Sequence, residues 1–340
     1  MANNRKQSKN KNKVSLGFVV LAAILVVLLT LSSLSLLPFT FPTWEEAYEI
    51  ATGEPIISEP AVSTAEIPAE EQLANPPPEM LNGARMSVYV ISVGQGSSTL
   101  LTTGDYSILI DAGENDQGDV VLDLLGALGI DRLDYFIGTH PHSDHIGGMD
   151  DVLSNIKVDN VIMPKLSDKL VPTTKTYEDV LRVLGEKSIK VIAAKPGKSY
   201  AVGPMKLDIF GPVGEYDDLN NVSVISKITF GNTRVLISGD AEKKAEKAAG
   251  QAGYNLAADL YVVGHHGSRT SSSADFLEAI GPRYAAISCG LKNDYGHPHA
   301  EILEALDKRG IIVNRTDLNG TIVYTTDGTN MAVKTERQDT

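Results

Sequence analysis

The stretch GTHPHSDHIGG, residues 138–148, places three of the chain's seven histidines and one aspartate inside six positions. It follows LDYFIGT, whose apolar run predicts a buried strand, and Gly138 and Pro141 make the exit turn. Gly147 and Gly148 are expected to let the backbone turn tightly into a following helix. His140, His142, Asp144 and His145 therefore share one loop at a strand end, where α/β proteins assemble their sites. Three imidazoles and a carboxylate are the donor set that a zinc-like cation prefers. A loop that is histidine-rich by chance is the weaker account of such spacing.

The other four histidines also come in pairs: His265 and His266 in VVGHHGSRTSSS, and His297 and His299 in YGHPHAE. The 265–266 pair ends the apolar run DLYVV, so at least one of the two is an expected ligand, with the choice left open. Two aspartates close strand-like runs, Asp111 in YSILIDAG and Asp240 in RVLISGDAE. Either alone would read as a cap. Beside histidine loops, Asp240 is a candidate to bridge two cations and Asp111 to orient a ligand histidine by accepting its ring N–H.

Composition bounds the rest. Of 340 residues, 42% are apolar and 21% charged, enough for a full core. Five of the 30 Lys and Arg lie in the first thirteen residues, so 25 bases face 43 acids elsewhere, a net of −18. That balance speaks against a surface built for indiscriminate polyanion binding. The one cysteine, Cys289, allows neither an intrachain disulfide nor a cysteine metal cage and reads as a small core residue.

Four regions follow along the chain. Residues 1–13 form a basic head, and 14–37 contain no charge, 24 positions long, enough to cross the ~30 Å hydrocarbon layer of a bilayer. A cleaved leader would have a shorter apolar region and a small-residue exit, so an uncleaved anchor is expected. The charge bias predicts a single-pass membrane protein with a cytoplasmic N-terminus and the remainder extracellular. Residues 38–83 include eight prolines and nine glutamates, an extended tether in expectation. The folded domain is expected over 84–336. There, strand-like MSVYVISV, SSTLLTT, YSILID, KLDIF, VSVISKITF, ADLYVVG, RYAAIS and IIVNR alternate with helical GDVVLDLLGALG, AEKKAEKAA, SADFLEAI and AEILEALDK. Strand pairs with interspersed helices predict an α/β sandwich with helices outside. No internal repeat is visible.

HxHxDH at 140–145, with Asp111 and Asp240 at strand ends, resembles the metallo-β-lactamase superfamily. Within it, VGQGSSTLL, ILIDAG, THPHSDHIGG, NNVSVISKITFGNTRVLISGDAE, VVGHHGSRTSSS and YGHPHAEIL are similar to the hydrolase domain of the DNA-uptake protein ComEC. The resemblance covers about residues 86–325 and implies an αββα sandwich with two divalent ions, Zn²⁺ or Mn²⁺, at its mouth. It assigns His140 and His142 to a first ion, Asp144 and His145 to a second, Asp240 to both, and His265 or His266 to complete the set. The superfamily's further histidine between the loop and the bridging aspartate is missing; Asn220, Asn221 and Ser223 match the branch there. Ser92 and Ser97 stand where the branch carries acids.

The implied chemistry is hydrolysis of a phosphodiester by water made acidic between two cations. Asp144 would steer the nucleophile, and His297, less so His299, would protonate the leaving oxygen. Ser268, Arg269 and Thr270, with Asn221 and Ser223, are the expected contacts to substrate phosphate. DNA or another nucleic acid is the favoured substrate, with a cell-wall phosphodiester of choline-phosphate or teichoic-acid type, or a non-catalytic ligand-binding domain, as alternatives. DNA import is not implied, because a channel needs many spans.

Overall fold

The computed structural model describes residues 83–337; the head, the apolar run and all but the last residue of the tether lie outside them. Among the described residues no helix is long and apolar enough to cross a membrane.

Alternation in MSVYV (β1, Met86–Val90) turns Met86, Val88 and Val90 to one face and Tyr89 to the other. The chain continues through β2 (Thr99–Thr103), β3 (Tyr106–Ile110), α1 (Gly118–Ala127) and β4 (Arg132–Ile137). After the histidine loop come α2 (Ser143–Ile146), α3 (Met149–Asn155), β5 (Lys157–Met163), α4 (Lys175–Glu186) and β6 (Val191–Ala193). A second series has β7 (Ser199–Val202), β8 (Met205–Ile209), β9 (Ser226–Phe230), β10 (Thr233–Ile237), α5 (Lys243–Gln251), β11 (Leu260–Val262) and α6 (Ala274–Ile280). It closes with β12 (Tyr284–Ile287), α7 (Ala300–Asp307) and β13 (Ile312–Arg315), then α8 (Thr316–Asn319), β14 (Ile322–Thr326) and β15 (Met331–Thr335).

Two mixed sheets result, ordered β15-β14-β1-β2-β3-β4-β5-β6 and β13-β12-β11-β10-β9-β8-β7. Val88, Leu101, Ile108 and Ile137 of the first meet Leu207, Ile228, Val235 and Leu260 of the second in a fully buried layer. Truncating one of these to Ala costs ~2–5 kcal/mol. The opposite faces carry Leu100, Leu109 and Phe136, and Leu236, Tyr261 and Ala285, packed with buried helix residues such as Val121 and Leu125 of α1 and Phe276 and Leu277 of α6. This is the expected αββα sandwich.

The topology also holds a repeat that the sequence hides. In the first sheet β1, β2 and β3 pair antiparallel, and β3 to β6 run parallel. In the second, β8, β9 and β10 pair antiparallel, and β10 to β13 run parallel. β14 flanks β1 antiparallel as β7 flanks β8. Asp111 after β3 thus corresponds to Asp240 after β10, and the 140–145 loop after β4 to His265–His266 after β11. Each pair shares a position in the sheet rather than a residue pattern.

Candidate metal centre

Every residue of the centre hangs from the end of a parallel-side strand. Asp111 leaves β3 in the left-handed region, φ 60°, with its N–H bonded to Ile137 O at 2.8 Å. After β4, His142 precedes α2, and its carbonyl accepts from His145 N at 3.1 Å and Ile146 N at 3.0 Å. After β10, Gly239 turns at φ 52°, where an added Cβ would stand 2.7 Å from Thr139 Cβ. Ser223 Oγ accepts the Asp240 N–H at 3.0 Å and fixes that turn. After β11, His265 and His266 are both left-handed, φ 51° and 53°, inside a short 3-10 turn, Gly264–Gly267. Non-glycine residues held there cost ~1–3 kcal/mol each and concentrate at functional sites. The twist points the two imidazoles to different sides of Asp240.

Asp144, His145, Asp240 and His266 converge, with donor atoms all within 4.8 Å of one another. His145 Nε2 is 3.0 Å from Asp240 Oδ1 and 3.8 Å from Asp144 Oδ2. His266 Nε2 is 3.2 Å from Asp144 Oδ2 and 3.8 Å from Asp240 Oδ1. Both rings are oriented from behind: His145 Nδ1 donates to Asp111 Oδ2 at 2.7 Å and His266 Nδ1 to Ser288 O at 2.9 Å. That turns each Nε2 toward the centre. His145 Nε2 and Asp240 Oδ1 are buried without a hydrogen-bond partner. Unsatisfied buried atoms are costly, and a cation between these two would satisfy both, so the donor set fits a divalent metal.

His140, His142 and His265 gather around the other oxygen of Asp240. Oδ2 lies 3.9 Å from His140 Nε2 and 3.6 Å from His265 Nε2. His140 Nε2 and His142 Nδ1 share a 2.9 Å hydrogen bond, so the two nitrogens already adjoin. Geometry thus parts the adjacent pair: His266 lies with Asp144 and His145, and His265 stands on the His140 side, its Nδ1 3.0 Å from Thr270 Oγ1.

The same carboxylates that face the centre draw protons to its histidines, so a cation would have to displace them. Burial opposes charge on His145, but Asp240, Asp111 and Asp144 override it and hold the imidazolium well above its ordinary value. Burial likewise opposes ionisation of Asp240, and His145 and His266 override it, keeping the carboxylate charged. His140 is pushed far down by burial and by His145, so it is neutral and free to ligate. Asp111 is raised by burial, against His145 and Thr139; Thr139 N donates to its Oδ1 at 2.7 Å and Thr139 Oγ1 to its Oδ2 at 2.8 Å.

The expected phosphate contacts sit elsewhere. Asn221 is buried; its Oδ1 accepts from Ala245 N at 3.1 Å and its Nδ2 donates to Asp218 Oδ1 at 3.0 Å, bracing the start of α5. Ser223 is spent on the Asp240 turn. Ser268 is buried against Thr270, 3.1 Å between hydroxyl oxygens. Arg269 points outward to Glu301 at 3.8 Å. None of these five side chains lines the cavity over the centre. Nor do the serines before α6 cap it with their side chains: the buried Glu246 carboxylate accepts from Ser272 N and Ser273 N instead.

The cavity over the centre, about 560 Å³, is lined by Asp144, Asp240, His142, His265, His266 and His297 together with Asn115, Pro172, Thr174, Thr176, Leu219 and Asn220. Asn220, rather than Asn221, reaches it, with a buried Oδ1 that has no partner. His297 accepts from Gln95 Nε2 at 3.4 Å and is pushed down to about 4 by burial and by His266, His265 and His299. It is therefore neutral near pH 7, and a proton-donor role would need the negative charge of a bound phosphate to raise it. His299 opens α7 from its N-cap position, and its Nδ1 accepts the Arg269 N–H at 3.1 Å. Asn220 entered the sequence reading only as part of the match to the branch, and Thr139 and the 172–176 wall drew no reading of their own, because isolated polar residues carry no spacing signal.

Comparison with known proteins agrees with the geometry. The profile of the Metallo-beta-lactamase superfamily matches residues 91–291. The chain is 34% identical over 206 residues to ComE operon protein 3 of Bacillus subtilis, covering 60% of this chain and 26% of that protein. It is 29% identical over 253 residues to competence protein ComA of Neisseria gonorrhoeae, covering 73% and 33%. The chain thus spans a quarter to a third of the length of these ComEC-like competence proteins. Among solved structures, the metallo-β-lactamase fold protein YhfI from Bacillus subtilis superposes with a TM-score of 0.49 at 19% identity, over 71% of this chain and 100% of that one. With its HxHxDH loop, its strand-end aspartates and a profile match across most of the sandwich, the chain belongs to the metallo-β-lactamase superfamily.

Proposed function

We propose that the chain is a metal-dependent phosphodiesterase of nuclease type, held outside the cell by its N-terminal apolar run. The observation that carries this is the opening of the Asp144, His145, Asp240 and His266 cluster into a polar cavity, with two buried atoms left unsatisfied. Asp144, His145, Asp240 and His266 would hold a divalent ion there, which would supply Lewis acidity toward a phosphoryl oxygen and toward water. Asp240 serves both ligand groups, one oxygen to each side. Asp144, a quarter exposed at the cavity floor, is kept ionised against burial by His145 and His266 and is placed to accept a proton from the attacking water. Asn220 and Thr174, which also line the cavity, offer hydrogen bonds to substrate oxygens. Similarity to competence proteins supports a nucleic acid as substrate.

The acidic balance of the chain, −13 overall, favours a second reading, a smaller cell-wall phosphodiester. Incubating the purified chain with single-stranded DNA and with a choline-phosphate or glycerol-phosphate diester, with and without Mn²⁺ or Zn²⁺, separates the two. Metal-dependent release from DNA is the expected result. Bound metal with no turnover on either class would leave a ligand-binding domain.

A further inference from the structure

Between β12 and α7 the chain presents Leu291 and Tyr295, 64% and 68% exposed, the most exposed large apolar side chains among the described residues. The segment is built to be rigid. Asn293 Nδ2 donates to Gly290 O at 2.9 Å and to His297 O at 2.6 Å, while its Oδ1 accepts from Tyr295 N at 3.2 Å and His297 N at 2.9 Å. Gln95 Oε1 accepts from Gly290 N at 2.9 Å and ties the loop to the first sheet's side of the cavity.

The Tyr295 ring lies nearly parallel to His297, 20° between planes and 5.6 Å between centroids. His297 in turn lies nearly parallel to His266, 21° and 6.1 Å. Three rings therefore step outward from a metal-ligand candidate to the rim, and Tyr295, which lines the cavity, leaves its outer face to solvent. An aromatic ring fixed on a braced loop, with its backbone already ordered, binds a flat partner without ordering cost. One open platform, rather than a box of rings, suits a nucleobase, since any base offers a π-face.

Resting on the phosphodiesterase reading, we propose that Tyr295 is a specificity residue that stacks a base of the single strand next to the phosphate being cut, selecting nucleic acid over aliphatic phosphodiesters. The test is equilibrium binding by the Mn²⁺-loaded full chain of a cleavage-resistant phosphorothioate oligothymidylate and of the same backbone carrying abasic sites. The base-bearing strand should bind roughly tenfold tighter. Tyr295→Ala should erase that gap by weakening the base-bearing strand, and Tyr295→Phe should keep it. No gap in the unaltered chain, or a gap that survives Tyr295→Ala, overturns the proposal. So does a choline-phosphate ester that depends on Tyr295 more than the oligonucleotide does. Absence of turnover on a natural-backbone strand counts against the phosphodiesterase reading alone, because the binding gap is read without cleavage.

Discussion

Asp111 Oδ2 stands 2.7 Å from His145 Nδ1, with both side chains 1% exposed. This carboxylate never reaches the cavity, yet it decides which nitrogen of His145 faces it. Asp111→Asn keeps the size and removes the charge that orients the ring. Metal affinity should fall about 10–100-fold, measured by competition with a chromogenic chelator, while circular dichroism stays unchanged. An unaltered affinity would show that His145 does not ligate through Nε2.

The two adjacent histidines should separate in the same assay. His266→Ala removes a member of the four-residue centre and should lower the metal retained per chain after gel filtration, counted by mass spectrometry. His265→Ala, on the far side of Asp240, should leave that centre loaded. The opposite ranking would refute the division of the pair made here.

Metal should stabilise the fold. At a free concentration 100 times Kd the gain is about 2.7 kcal/mol. For a domain of this size that is a rise in Tm of about 5–10 °C, seen by calorimetry, and Asp240→Ala should abolish it. His145 and His266 hold protons more tightly than free imidazole, so protons compete with the ion and the gain should shrink as pH falls.

Gly147 and Gly148 do not supply the conformational freedom expected of them. Gly147 is an ordinary helical residue, φ −59°, but a Cβ there would meet Asn115 N and Glu114 C at 2.3 Å. Gly147→Ala should destabilise by about 1–3 kcal/mol. Gly126→Ala, in α1 with nothing within 4 Å, should instead stabilise by about 0.5–1 kcal/mol. Urea titration of both variants checks the contrast.

Lys227 on β9 is buried, its ammonium 4.9 Å from the Phe210 ring centroid and donating to Asn255 O. Burial pushes it down to about 8. Between that value and the ordinary lysine range the unfolded chain binds the extra proton, so stability rises with pH across this window. Below pH 8 the cost of burying the charge is fully present. Lys227→Met should therefore raise Tm at pH 7, and the difference should narrow by about pH 10.5.

What the sequence made legible was whatever repeats with a short period. The apolar runs of β3, β4, β10 and β12 and the HxHxDH spacing could be read directly, because strand alternation and ligand clustering are local. β5 was missed: Asp159 and Asn160 interrupt KVDNVIM at half-exposed positions, Asp159 being paired with Arg132. β14 and β15 were missed because one face of IVYTT is only half-buried and most of MAVKT, the edge strand, is exposed. Ser268, Thr270, Asn221 and Ser223 read as phosphate contacts because a hydroxyl or amide looks the same in sequence whether it meets a ligand or a neighbouring protein group.

The duplicated topology divides ownership of the centre. Asp144 and His145 belong to one repeat, Asp240 and His266 to the other, and neither half owns a full complement. Ion occupancy is thus a ruler for how squarely the two halves are seated, and substitutions deep between the sheets should bleed metal from the rim well before they unravel the chain.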